Sequence, residues 1–112
     1  MASFTKKLVY DTLRSIDSAT FTGSYQALGT PLANPSSIVK IVNNSDVLVT
    51  ISVNGTSDHD VVPGTSFTLY DVSANSLSES GSIFIPVSTQ YYVKGSAGTG
   101  LVYLVVQYVV RT

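Results

Sequence analysis

Val47, Val49, Ile51 and Val53 alternate with Leu48, Thr50 and Ser52. Successive side chains of a strand point to opposite faces, so this period of two predicts a strand over Val47–Val53. The same period recurs along the chain. Thr20–Leu28 sets Phe21, Gly23, Tyr25 and Ala27 on one face. Ser36–Asn43 sets Val39 and Ile41 against Ile38, Lys40 and Val42, and Ser66–Val72 sets Phe67 and Leu69 against Thr68 and Tyr70. Val61-Val62, Ile83–Val87 and Thr89–Lys94 are shorter runs, and Pro86 suits a strand end or an edge.

The last run, Leu101–Val110, breaks the rule. Leu101, Tyr103, Val105 and Val109 occupy one side, with Gln107 the exception, while Val102, Leu104, Val106, Tyr108 and Val110 occupy the other. An antiparallel strand with one wet face should alternate. This strand is expected to be covered on both faces, its outer one by the N-terminal arm or by another subunit. At roughly 25 cal/mol per Å^2, leaving such a stripe in water costs several kcal/mol. The candidate interaction surface is therefore Val102, Leu104, Val106 and Tyr108, joined by Tyr91 and Tyr92.

Turn residues punctuate the runs. Gly29–Pro35 carries two prolines, Asn44-Ser45-Asp46 is small and polar, and Pro63-Gly64 ends a short strand. Asn54-Gly55 reads as a type I′ hairpin turn. Ser73–Gly81 is a polar loop, and Gly95–Gly100 a flexible turn. Seven or eight strands at such regular spacing predict an all-β antiparallel sandwich, jelly-roll-like or immunoglobulin-like, with no room for helical crossovers. Leu8, Val9, Leu13 and Ile16 fit either a helix face or an extended segment, so residues 1–18 are expected to form an N-terminal arm and 19–112 the sandwich.

Composition narrows the function. A chain of 112 residues supports one hydrophobic core. Charged residues make up 12%, and the net charge is −1; about 25% is usual for a soluble domain. No basic patch is available for phosphates, which argues against nucleic-acid binding. So little charge suits a monomer poorly and predicts a surface covered by partners, with homo-oligomerisation expected. With no cysteine, a disulfide framework, a thiol nucleophile and a cysteine-based metal site are excluded. Asp11, Thr12 and Arg14 interrupt any secretory apolar run, and no segment is long enough to span a membrane. Synthesis in a cytoplasm is expected, which makes Asn43-Asn44-Ser45 and Asn54-Gly55-Thr56 chance matches to the glycosylation pattern.

No chemistry assembles around the lone histidine. His59 sits in Ser57-Asp58-His59-Asp60, but neighbours on an extended chain diverge, so its aspartates should not converge on it. No Gly-x-Ser-x-Gly elbow occurs. Asp46, Asp58, Asp60, Asp71 and Glu79 lie at turns and strand ends, where carboxylates cap backbone. Gly95–Gly100 lacks the lysine and helix of a phosphate loop. No catalytic, metal or cofactor residue is assigned. Tyr91 and Tyr92 must face opposite ways, one packed and one displayed, and a displayed tyrosine can serve sugar or protein binding.

An ordered series of marks remains. Gly29-Thr30-Pro31-Leu32 with Pro35 is followed by Ile41-Val42-Asn43-Asn44-Ser45-Asp46, then by Ile51–Gly55 with Asp58-His59-Asp60. Val62-Pro63-Gly64-Thr65-Ser66-Phe67-Thr68-Leu69-Tyr70-Asp71, Phe84-Ile85-Pro86, Thr89-Gln90-Tyr91-Tyr92-Val93-Lys94 and Val102-Tyr103 complete it. The series resembles small β-sandwich virion structural proteins of tailed bacteriophages. That resemblance implies a non-enzymatic virion component, as capsid decoration or as a neck or tail adaptor or fibre anchor. Its partners would be other virion proteins, with no cofactor. A carbohydrate- or receptor-binding module is the alternative.

Overall fold

The computed structural model describes residues 6–73 and 83–111, and β-strand is the main regular structure among them. Nine strands occur among them: β1 (Lys6–Tyr10), β2 (Arg14–Asp17), β3 (Gln26–Ala27), β4 (Ile38–Ser45), β5 (Val49–Ser52), β6 (Asp60–Val62), β7 (Ser66–Asp71), β8 (Tyr92–Lys94) and β9 (Gly100–Arg111). A 3-10 turn, Ser18–Thr20, follows β2 and is capped by the Asp17 carboxylate.

Every pairing is antiparallel, in two sheets. One runs β1-β9-β4-β7 with β2 also on β9; the other runs β3-β8-β5-β6. The order has a simple origin. β5 pairs with β6, β4 with β7, β3 with β8, and β2 and β1 with β9. The chain is one long hairpin, folded at residues 53–59 and rolled so that successive rungs fall in alternate sheets. That is a jelly roll, which resolves the choice between the two expected sandwich types.

The core lies between the sheets. Val39 and Ile41 of β4 and Val102, Leu104 and Val106 of β9 project into it from one side. Val49, Ile51, Val62 and Val93 meet them from the other. Phe21, Leu28 and Leu32 close it from the loops around β3. Two polar side chains of β4, Asn43 and Ser45, belong to this layer. Asn43 is fully buried, and its amide donates to the carbonyls of Val47, Val62 and Pro63. Its Oδ1 accepts from the Ser45 N–H and hydroxyl. A buried amide with its hydrogen bonds made holds the β4–β5 and β6–β7 turns together.

Several expected boundaries move for local reasons. The Thr20–Leu28 strand shrinks to two residues, because Gly23 takes a φ of 88° and turns the chain. β4 continues through Ser45, since Asn43 satisfies the backbone where a turn was expected. Asn54-Gly55 is no type I′ turn: only Gly55 has a positive φ, of 77°. The link is a wider loop, in which Asn54 Oδ1 accepts the N–H groups of Thr56 and Ser57 and Ser52 Oγ accepts those of Asn54 and Gly55. Ile83–Val87 forms no strand beyond a bridge between Ser36 and Ile85. The polar loop read over Ser73–Gly81 lies almost wholly outside the described residues.

The N-terminal segment is extended, as one of its two readings required, but it does not lie over the sheet. β1 and β2 add to the free edge of β9, in register Lys6 to Arg111 and Arg14 to Leu104. It therefore leaves the outer face of β9 open.

Candidate functional site

The register decides which residues share that open face. Leu8 and Tyr10 of β1 lie beside Val109 and Gln107 of β9. Lys40 of β4 lies beside Val105, and Val42 beside Tyr103. Phe67, Leu69 and Asp71 of β7 lie beside Val42, Lys40 and Ile38. Tyr10, Phe67 and Leu69 are 71%, 61% and 50% exposed, a large apolar excess for one face of one sheet. The surface dips between them into a depression of about 330 Å^3, floored by Ile38, Val105 and Gln107. Lys40 and Asp71 are its only charges among the lining residues. The outer face of the other sheet is different, carrying Thr50, Ser52, Lys94 and Tyr92 around Val61.

The expected interaction residues are redistributed by this geometry. Val102, Leu104 and Val106 are core side chains, at most 1% exposed, and not part of a contact surface. Both faces of β9 are apolar, so the alternation could not say which one the second sheet would cover. The side left uncovered by the second sheet is the opposite set, Leu101, Tyr103, Val105 and Val109. Tyr108 shares the inward side, opposite Val9, and is half-buried. Tyr91 and Tyr92 diverge as an adjacent pair must. Tyr91 joins the core, and Tyr92 is half-buried, close to Gly55. Phe67, Leu69 and Tyr10 were not singled out from the sequence. Their signal was an apolar pair at i and i+2 in β7, opposite a Thr and a Tyr, which reads equally well as a core face.

The histidine loop is held from three sides. Asp58 accepts from the Tyr25 hydroxyl and pairs with Lys94 at 2.9 Å, while the Lys94 ammonium sits 4.6 Å from the Tyr25 ring centre. Tyr25 and then Lys94 hold the Asp58 carboxyl below its ordinary range. Asp60 instead accepts from Tyr70. His59 Nδ1 accepts the Val53 N–H, which leaves its proton on Nε2 in the neutral ring. Each aspartate thus takes a hydrogen-bond partner other than the imidazole.

Three phenols are shifted upward. Burial first, with the Asp58 hydrogen bond, pushes Tyr25 up to about 12. Burial alone takes Tyr91 to about 12. Burial and Asp60 raise Tyr70 well above its ordinary value. A phenol with a raised folded-state pKa stabilises the fold below its unfolded value near 10, and that stabilisation is lost as pH rises through the folded value. Melting temperature should therefore fall steeply between about pH 10 and 12. A phenolate absorbance titration should show these three of the seven tyrosines ionising only as the fold is lost. Seven phenols ionising together in a folded protein would contradict it.

No protein-family model and no curated protein matches the chain. Among solved structures it is similar to the Dit protein (gp 19.1) of phage SPP1, described as a paradigm of the hub adsorption apparatus in phages infecting Gram-positive hosts. The identity is 13% and the TM-score 0.40, over 92% of this chain. The chain spans about half the length of that protein, 49% of it. A likeness this distant carries no argument about either fold or function.

Proposed function

We propose that this domain is a non-enzymatic structural component of a tailed-phage virion, assembling through the outer face of its five-stranded sheet. The observation that carries assembly is the apolar face of β1, β9, β4 and β7, left open by both the second sheet and the N-terminal strands. Exposed apolar patches of this kind on a small domain mark protein contacts. The ordered turn and strand marks from Gly29 to Tyr103 supply the virion part of the reading. Decoration of the capsid, or a place at the neck or tail, fits such a building block equally well. A glycan-binding reading finds less support, since neither Tyr91 nor Tyr92 stands free of the sheet.

Size-exclusion chromatography with light scattering tests assembly. The chain should run as an oligomer, or bind other virion proteins, and Leu69→Lys should return it to a folded monomer. A wild-type monomer without affinity for any virion component would overturn the proposal. Mass spectrometry of purified particles would test the virion assignment directly, by presence or absence of the chain.

A further inference from the structure

A second opening lies elsewhere, between the sheets, where β5 and β7 diverge. Its volume is about 300 Å^3, at the small end of the range for ligand sites. Ile51, Val53, Val72 and Ile85 give it an apolar wall. Tyr70, Tyr91, His59 and Asp60 bring polar atoms to it.

Accounting for those atoms isolates one. The Tyr70 hydroxyl donates to Asp60 Oδ2, and Asp60 Oδ1 accepts the Val61 N–H. His59 Nδ1 is occupied by the Val53 N–H. Tyr91 differs. Its side chain is 5% exposed, and its ring stacks on Tyr70 at 6.5 Å between centres. Its hydroxyl has no hydrogen-bond partner in the described structure. Nor is it sealed away, because Ser37 Oγ is the one fully enclosed polar side-chain atom left unpartnered among the described residues. A phenol this deep ordinarily finds a partner. Tyr91 is one of the residues that line the cavity, and its hydroxyl is not among the enclosed atoms.

We infer that this cavity is a ligand site for a small neutral molecule with an aromatic or alicyclic body and one hydrogen-bond acceptor, which the Tyr91 hydroxyl engages. The wall is too apolar for a sugar, whose hydroxyls would lose water without replacement. Asp60 disfavours an anion in the same space. His59, at the exposed rim, offers its Nε2–H as a second donor. The site is separate from the open sheet face, so its fate does not depend on the assembly proposal.

Benzamide, toluene and benzoate serve as probes, followed by chemical shifts of the cavity-lining residues on the full chain. Benzamide should bind saturably in the millimolar range, more tightly than benzoate. A neutral hydrogen bond is worth about 0.5–1.5 kcal/mol, so Tyr91→Phe should weaken benzamide roughly three- to tenfold and leave toluene unchanged. Val72→Trp, which fills the cavity from its half-buried edge, should block both. An equal melting temperature for Tyr91→Phe shows that the loss is local. Shifts that do not saturate, or a benzamide affinity that Tyr91→Phe leaves intact, would overturn the inference. The first outcome would turn attention to a partner's side chain as the occupant.

Discussion

Val106→Asp should leave no folded domain, while Val105→Asp, one residue earlier, should fold normally and lose its capacity to assemble. The two positions share a strand, a residue type and nearly a place in the sequence. They differ in face. Val106 is 1% exposed, between the sheets, in the cluster that holds Leu104, Val39 and Ile41. An aspartate there has no partner to compensate its desolvation, which costs several kcal/mol even if the carboxyl protonates. A domain of this size has only about 5–15 kcal/mol of stability to lose. Val105 lies on the outer face, directly across from Lys40 of β4. A carboxylate there meets an ammonium on the neighbouring strand, a pairing that is favourable in an antiparallel sheet. It also sets a charge in the middle of the apolar depression. Circular dichroism should show strand signal and a cooperative melt for Val105→Asp alone, and light scattering should show it monomeric. A folded, soluble Val106→Asp would mean that the faces of β9 are assigned the wrong way round.

That pair also shows where sequence reading stops. Alternation in β4 and β5 grouped Val39 with Ile41 and Val49 with Ile51, the residues that the fold turns inward, and Lys40 and Thr50 marked the other side as polar. β9 and β7 offered no such mark. In β9 both sides are apolar, and in β7 the larger apolar pair, Phe67 and Leu69, faces out while Tyr70 packs inward. Hydropathy reports what a side chain prefers, and a face reserved for a partner carries the same preference as a core. The rolled topology was legible only as a class. Its pairings join residues as distant as Lys6 and Arg111, and no local pattern encodes them. Asn43 read only as the end of a strand; its burial depends on the carbonyls of Val47, Val62 and Pro63, supplied by two turns. The cavity beside Tyr91 was invisible, since a tyrosine in a strand signals packing whether or not its hydroxyl is satisfied.

Arg14 carries the second large effect. From the sequence it is only a charge interrupting an apolar stretch. In the fold it is 5% exposed and works as a clamp. Its Nε donates to the Thr30 carbonyl at 2.7 Å, Nη1 to Thr12 at 2.7 Å and Nη2 to Pro31 at 2.8 Å. Nη2 also lies 3.5 Å from Asp11 Oδ2, which accepts the Ala33 N–H. Gly29 makes room for it: φ is 70°, and a β-carbon there would stand 2.5 Å from Arg14 Cβ. Arg14→Met keeps much of the stem but strips three carbonyls of their donor and leaves Asp11 without its cation. Removing one partner from a buried charged network costs about 3–5 kcal/mol, so the denaturation midpoint should fall sharply. Arg14→Lys should recover only part, because one ammonium cannot reach three carbonyls spread along a planar fork. Gly29→Ala should move the midpoint the same way. The loss has a location as well as a size. The clamp ties β2 to the 29–32 loop, and β2 keeps the N-terminal segment beside β9 instead of across its apolar face. Amide exchange in Arg14→Met should therefore rise first over Arg14–Asp17 and the facing half of β9, Leu101–Leu104, with the β4–β7 pairing protected longest. Uniform loss of protection, or a midpoint shift below about 1 kcal/mol, would show that the N-terminal strands are held by their ladder bonds alone.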